Sequence, residues 1–261
     1  MQVITFMNEK GGVGKTTTAT AIASLLAQSG KRICMIDTDT QGHVAERFKL
    51  KSENGFYALM QGQTWQNVLR PIAPDYYGGA SDISNLWIVP GYDATRKLDN
   101  DLTASALLER LHEISEAFDF VIVDTSPKLG DIHAALYAAS DYVIIPTECT
   151  RLSVKGVIST IDHIRKAAPV AERAGFKVAE ILGIIPTKFD GKKSVHYQML
   201  GWIEGRYGEA ILFNPIRFLT DWEKAEALQK PIHVFNPRSA ATLDARSLMD
   251  EISQRLGLAN V

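Results

Sequence analysis

Short runs of aliphatic and β-branched residues alternate along the chain with longer segments whose apolar positions recur at helical spacing. The runs Val3–Met7, Ile33–Ile36, Leu86–Val89, Phe120–Val123, Tyr142–Ile145 and Ala179–Ile185 are almost wholly apolar, as strands covered on both faces of a parallel sheet must be. Between them, Thr16–Gln28, Thr103–Ala117, Ile132–Ala139 and Ser153–Ala168 predict helices, and Arg238–Leu256 predicts a final surface helix. In the first of these helices Ala21, Ile22, Leu25 and Leu26 mark the inner face, and Gly30 supplies the C-terminal cap. Lys51–Asp82 mixes glycines and prolines with aromatic residues and reads as short helices and loops over one sheet edge. No repeat or Pro/Gly-rich linker interrupts the alternation. The expectation is a single α/β domain over residues 1–261: a mostly parallel, twisted sheet with helices on both faces.

Composition changes this picture little but narrows the chemistry. A chain that is 46% hydrophobic and 22% charged can bury one α/β core. With 28 Lys and Arg against 30 Asp and Glu, the formal charge is -2, which excludes a polycation that coats nucleic acid over its whole surface. Any contact with DNA must come from a local patch. The cysteines, Cys34 and Cys149, stand in no metal-ligand spacing, so no zinc or iron–sulfur site is expected and a reducing compartment is. No run is long enough for a membrane helix and no signal-peptide order opens the chain, so a soluble, intracellular, cytoplasmic protein is expected.

Between the first strand and the first helix lies Asn8-Glu9-Lys10-Gly11-Gly12-Val13-Gly14-Lys15-Thr16-Thr17. Three glycines let the backbone turn tightly and aim N–H groups at an anion. The helix start adds its positive dipole end, Lys15 a mobile charge, and Thr16 a hydroxyl for Mg²⁺. In the common phosphate-loop pattern G-x-x-x-x-G-K-[ST] a glycine stands where this chain has Glu9, and here Lys10 follows it. A second lysine so near a triphosphate is either a spare local contact or a group that reaches a neighbouring subunit's nucleotide.

Carboxylates join this loop from two other strands. The second strand ends in Asp37-Thr38-Asp39-Thr40-Gln41-Gly42, and the run from Phe120 ends in Asp124-Thr125-Ser126-Pro127. Both place Asp residues at carboxyl ends of strands, where open α/β sheets bind ligands. An apolar strand closing on Asp is how a carboxylate is delivered to a bound metal.

With these residues in place the chain resembles the ParA/MinD family of ATPases with a deviant Walker A loop, and its ParA partition branch in particular. Lys10–Thr17 matches the family's K-G-G-x-G-K-[ST]-[ST] loop. Asp37–Gly42 resembles its D-x-D-P-Q-G segment with Thr40 in place of proline. Residues 124–130 resemble D-T-P-P-S-L-G with Ser126 and Lys128 substituted, and Asp141–Pro146 is similar to the strand A-D-x-V-I-I-P. Lys230-Pro231-Ile232 and Asn236-Pro237-Arg238-Ser239 are similar to the branch's K-P-I and D-P-R-S segments. The resemblance implies a P-loop ATPase that hydrolyses ATP with Mg²⁺ as an ATP-dependent homodimer. It implies that Lys10 crosses to the partner's phosphates while Gly11, Gly12, Val13, Gly14, Lys15, Thr16 and Thr17 hold the chain's own. Mg²⁺ would sit on Thr16 with Asp37 and Asp124 behind it, and Asp39 would orient the attacking water. By the same analogy adenine contacts fall at Thr187, Lys188, Phe235, Asn236 and Pro237.

Such engines partition plasmids or chromosomes, position organelles such as carboxysomes, place division sites on membranes, or assemble iron–sulfur clusters. The missing cysteine pair speaks against the last. The terminal segment carries Asp244, Asp250 and Glu251 beside Arg246 and Arg255, so a membrane-cycling, MinD-like helix with a basic face is the weaker alternative. That helix is instead expected to pack on the sheet through Leu243, Leu248, Ile252 and Leu256. Residues 1–150 carry a net charge of -6 and residues 151–261 a net charge of +4. Lys188, Lys192, Lys193, Arg206 and Arg217 lie where the ParA resemblance implies a surface for non-specific, nucleoid-associated DNA binding. With the first strand expected from residue 3, no helix-turn-helix extension ahead of it is expected. A cargo would be chosen by a ParB-like or cargo-specific adaptor that stimulates hydrolysis. A ligase resembling dethiobiotin synthetase would use the same loop, but Lys10 argues against it.

Overall fold

The computed structural model describes residues 1–98, 102–127 and 131–258. In chain order the elements are β1 (Gln2–Phe6), α1 (Lys15–Gln28), β2 (Ile33–Asp37), α2 (His43–Arg47), α3 (Phe56–Met60), α4 (Trp65–Val68), β3 (Arg70–Pro71), β4 (Leu86–Val89), α5 (Ala104–His112) and β5 (Phe120–Asp124). There follow α6 (Asp131–Ala139), β6 (Tyr142–Glu148), α7 (Arg151–Arg173), β7 (Glu180–Thr187), α8 (Ser194–Tyr207), α9 (Thr220–Ala227), α10 (Ile232–Phe235) and α11 (Ala240–Arg255). The strands form one seven-stranded sheet in the order β3-β4-β2-β5-β1-β6-β7. All named pairs are parallel except the short edge strand β3, which runs antiparallel to β4. The fold is therefore the single-sheet α/β architecture expected, with Lys51–Asp82 supplying α3, α4 and the edge strand.

Strand alternation builds two cores from one sheet. On β1, β2 and β5 the residues Val3, Cys34, Ile36, Val121 and Val123 point to one face, where α5, α6 and α7 cover them with Leu107, Leu111, Ile132, Leu136, Val157 and Ile161. Ile4, Phe6, Ile33, Met35, Phe120 and Ile122 point to the other, against α1 and α11 through Ile22, Leu25, Leu26, Ala245, Leu248 and Ile252. The predicted inner face of α1 is buried in full, and Gly30, at φ 93°, turns the chain out of that helix.

Two helix ends and one buried face depart from expectation. The helix predicted to 117 ends at His112, with Thr103 as its cap: the Thr103 hydroxyl accepts the Ala106 N–H at 3.2 Å. The helix predicted to stop at Ala168 runs through Pro169 to Arg173; proline forfeits one backbone donor, and the apolar stripe Val154, Val157, Ile161 and Ile164 holds the helix to the core. Leu243 is 60% exposed rather than packed on the sheet. In α11 the buried set is Ala241, Ala245, Leu248, Met249 and Ile252, and helical geometry turns a residue two positions from Ala241 to the opposite side. No helix among the described residues is long and apolar enough to cross a membrane.

Candidate functional site

The carboxyl ends of β1, β2 and β5 lie side by side, so everything that follows these strands meets in one place. After β1 the chain makes the glycine loop. Gly12 and Gly14 take φ 76° and 86°, left-handed values that cost other residues about 1 kcal/mol or more, and Gly14 is the residue from which α1 starts. The loop is pinned at both ends. Buried Asn8 donates from Nδ2 to the Pro146 carbonyl at 2.8 Å and accepts the Lys10 N–H at 2.9 Å. The Thr187 hydroxyl donates to the Val13 carbonyl at 2.8 Å.

Lys15 opens α1 with only 6% of its surface exposed, and its Nζ donates to the Lys10 carbonyl at 3.2 Å. Burial lowers its pKa, and the nearby charges of Asp124 and Asp39 oppose that shift. A buried ammonium needs compensating anions, and the carboxylates supply part of them. Asp37 and Asp124 are register partners on adjacent strands and both are wholly buried. Asp37 accepts the backbone N–H groups of Asp39 at 2.8 Å and Val44 at 3.2 Å; burial and then the Asp124 charge nevertheless raise its pKa well above the usual carboxylate value. Asp124 accepts the Thr16 hydroxyl on Oδ2 at 2.6 Å. Burial pushes its pKa up to about 6 against that hydrogen bond and the Lys15 charge. Asp39, 9% exposed, ties the Gln41 N–H to its Oδ1 at 3.1 Å.

Whether a divalent cation fits here is decided by Asp124. Its Oδ1 is buried and has no hydrogen-bond partner, an arrangement costly for an acceptor unless a cation or water completes it. The Thr16 hydroxyl stands on the same carboxylate. Mg²⁺ is held typically by one or two carboxylates together with phosphates and waters. Thr16 and Asp124 therefore fit such an ion directly, and Asp37 stands behind them.

Lys10 is held within its own chain: its Nζ donates to Ser153 Oγ at 2.8 Å and pairs with Glu148 Oε2 at 3.3 Å. Lys188 reaches the same carboxylate at 2.7 Å and the Gly12 carbonyl at 2.9 Å. Burial alone would raise the pKa of Glu148, but hydrogen bonds and charges from Lys188 and Lys10 hold it below the ordinary range.

Two of the cavities that reach this loop bear on the site. The larger, about 740 Å³, is lined by Gly11, Gly12, Gly14, Lys15, Thr16, Thr17 and the Thr38–Gln41 turn. The smaller, about 110 Å³, shares lining residues with it and is walled by Ile216, Phe218, Leu219 and Trp222, together with Thr187 and Lys188. Thr187 and Lys188 thus stand where a base could lie. Phe235, Asn236 and Pro237 line neither cavity: Phe235 packs, half-buried, against the core, and Asn236 donates to Asp221 at 3.1 Å. The apolar wall from Ile216 to Trp222 escaped the sequence reading because it carries no motif and is assembled from the loop before α9 and the first turn of that helix. Asn8, Arg47, Glu148 and Glu226 were missed as well, being set by tertiary contact. Lys128 lies outside the described residues.

Of the five basic residues expected to meet DNA, Arg217 forks onto Asp244 at 2.6 and 3.0 Å, Lys188 is held by Glu148 and the Gly12 carbonyl, and Lys193 pairs with Asp190 at 3.7 Å. Lys192 is exposed, and Arg206 is exposed while stacking over Trp202 and Tyr207 at 5.6 Å from each ring.

The family model described as an AAA domain matches residues 1–173. The chromosome-partitioning ATPase Soj of Thermus thermophilus is 26% identical over 264 residues, covering 97% of this chain and 96% of its own. An ATP complex of McdA from Cyanothece superposes with a TM-score of 0.84 at 21% identity, covering 100% of this chain and 98% of that one. Cobyrinic acid a,c-diamide synthase from Mycobacterium smegmatis, with bound ADP and magnesium, gives a TM-score of 0.79 at 21% identity over 98% of this chain and 95% of that one. At such identities the two structural likenesses speak for the fold alone.

Removing the buried charge of Asp124 should stabilise the chain when neither nucleotide nor metal is present. Burial outweighs the Lys15 charge in setting the Asp124 pKa, so its ionised form costs the fold stability at neutral pH, and we expect Asp124→Asn to raise the melting temperature by about 2–4 °C for each kcal/mol of stability gained. An unchanged or lower melting temperature, by calorimetry in chelator, would show that the carboxylate is already compensated.

Proposed function

The chain belongs to the AAA-domain family and, with its Soj and ParA relatives, to the ParA/MinD ATPases, and on that premise we propose that it is a partition or positioning ATPase that dimerises on ATP. The observation that carries this reading is the convergence of a buried Lys15, the glycine cradle and three Asp residues at one sheet edge. Such a site is suited to take a metal-bound polyphosphate among its own charges.

In this reading the backbone N–H groups of Gly11–Thr17 and the Lys15 ammonium hold the β- and γ-phosphates. Thr16 and Asp124, backed by Asp37, hold Mg²⁺, which when bound neutralises charge on the phosphate oxygens. Asp39, fixed by its own turn above the cradle, orients a water for attack on the γ-phosphate. The apolar cavity of Ile216, Phe218, Leu219 and Trp222 receives the base. Lys10 leaves Glu148 and Ser153 to cross a dimer interface and meet the partner's phosphates, where a cation in trans compensates developing charge.

The names of the relatives point to chromosome partition, and we extend that role to this chain: the ATP-bound dimer binds DNA without sequence preference, and a ParB-like or cargo-specific adaptor stimulates hydrolysis. Two modest cationic patches bind strongly once a dimer presents both to one polymer. Lys192 and Arg206 are the cations best placed for phosphate contact. Arg217, met by Asp244, serves to hold the loop before α9 to α11.

Lys15→Ala is expected to lower ATP affinity at least about a hundredfold, since charge-assisted contacts to two phosphates disappear together. Asp39→Ala should keep ATP affinity and lose turnover. Undiminished ATP binding by Lys15→Ala in a calorimetric titration would overturn the site, and wild-type turnover by Asp39→Ala would remove that residue from the chemistry.

For DNA, mobility shifts on two unrelated duplexes should require ATP and Mg²⁺, and Lys192→Glu should weaken both complexes by similar factors. Binding that is equal without nucleotide, or that differs between the duplexes, would count against a non-specific, dimer-dependent surface.

A further inference from the structure

Arg47 closes α2, the five-residue helix that follows the Asp37–Gly42 turn, and its place in the cavities gives it a role that no motif announces. The larger cavity alone is lined by Gly11, Gly12, Lys15 and Thr16; the smaller alone by Ile216, Phe218, Leu219 and Trp222. Gly14, Thr17, Lys188 and Glu226 line both. A nucleotide with its base in the apolar cavity and its terminal phosphates in the polar one must pass its α-phosphate and ribose across these shared residues.

Arg47 binds two of them. Its Nη2 donates to Thr17 Oγ1 at 2.9 Å and to Glu226 Oε1 at 2.7 Å. It lines the larger cavity while its side chain is only 18% exposed, against 56% for Glu226. The residue is held from behind as well: the Tyr76 hydroxyl donates to the Arg47 carbonyl at 2.6 Å, and the Tyr76 ring packs on Phe48 at 5.8 Å. A guanidinium carries five donors in a rigid fork suited to phosphate, and these two bonds use a single nitrogen. Glu226 is the weaker claimant, being an exposed carboxylate in water.

We infer that Arg47 is a ligand for the nucleotide's α-phosphate, held ready at the junction of the two cavities by Thr17 and Glu226. The inference rests on the nucleotide-binding reading above. On nucleotide arrival the α-phosphate takes the guanidinium that Glu226 holds in the free chain. Because ADP and ATP share the α-phosphate, Arg47 contributes equally to both, which sets it apart from a residue that senses the γ-phosphate. The competing possibility is a plain tie between α2 and α9.

Dissociation constants for Mg·ATP and Mg·ADP, measured by calorimetry on wild type, Arg47→Ala, Arg47→Lys and Glu226→Ala, separate the two. Arg47→Ala should raise both constants by the same factor, about ten- to a hundredfold, the range for hydrogen bonds to a charged group. Arg47→Lys should fall between, keeping charge without the fork. Glu226→Ala should tighten both about two- to threefold, because a carboxylate facing the phosphate is gone. The inference is overturned if Arg47→Ala weakens ATP alone or neither nucleotide, or if Glu226→Ala weakens binding as Arg47→Ala does. Should Arg47→Ala fail to fold, Arg47→Lys and Glu226→Ala decide by the same criteria. Wild-type affinity in Arg47→Ala beside lost binding in Lys15→Ala would sink this inference and leave the nucleotide site standing.

Discussion

The structure is organised around a lysine ammonium and two carboxylates that water hardly reaches. Lys15 is 6% exposed and Asp37 and Asp124 are wholly buried, and none of the three could be held there singly without a large desolvation cost. Their mutual attraction is incomplete, as the orphaned Asp124 Oδ1 shows. In the function proposed, a metal-bound polyphosphate would bring a cation to Asp124 and an anion to the glycine loop.

The fold serves this arrangement directly. Parallel pairing in register sets Asp37 beside Asp124, and the sheet order places β1 next to β5, so that the glycine loop falls over both carboxylates. The loop is also joined to α7. Glu9 accepts the Ser159 hydroxyl at 2.6 Å and sits 2.6 Å from His163 Nδ1, while Lys10 reaches Ser153 on the same helix. For Lys10 to serve a partner subunit, as proposed, it must give up Ser153 on α7 and Glu148.

Much of this was legible in the residues. Apolar runs announced β1, β2, β4, β5, β6 and β7, because strands buried on both faces leave no room for polar alternation. The loop from Lys10 to Thr17 and the aspartates closing β2 and β5 were readable since backbone geometry and strand ends alone fix their placement. What escaped was set by tertiary contact. Leu243 faces solvent because the phase of α11 is decided by Ala241 and Ala245, and α8 lacks a strong apolar stripe. The wall from Ile216 to Trp222 comes from a loop and a short helix with no periodic signal, and Arg217 found an acidic partner 27 residues away in sequence. Charge totals could locate a cationic half but not which cations were already paired.

The account stands or falls on Lys10 leaving its own chain for a second one. Sedimentation velocity of the wild type and of Lys10→Ala, each without nucleotide, with Mg·ADP and with Mg·ATP, tests this most directly. The account predicts a dimer for the wild type with Mg·ATP alone, and a monomer for Lys10→Ala under all three conditions. A wild type that is dimeric without nucleotide, or a Lys10→Ala protein that dimerises on ATP as the wild type does, would contradict it.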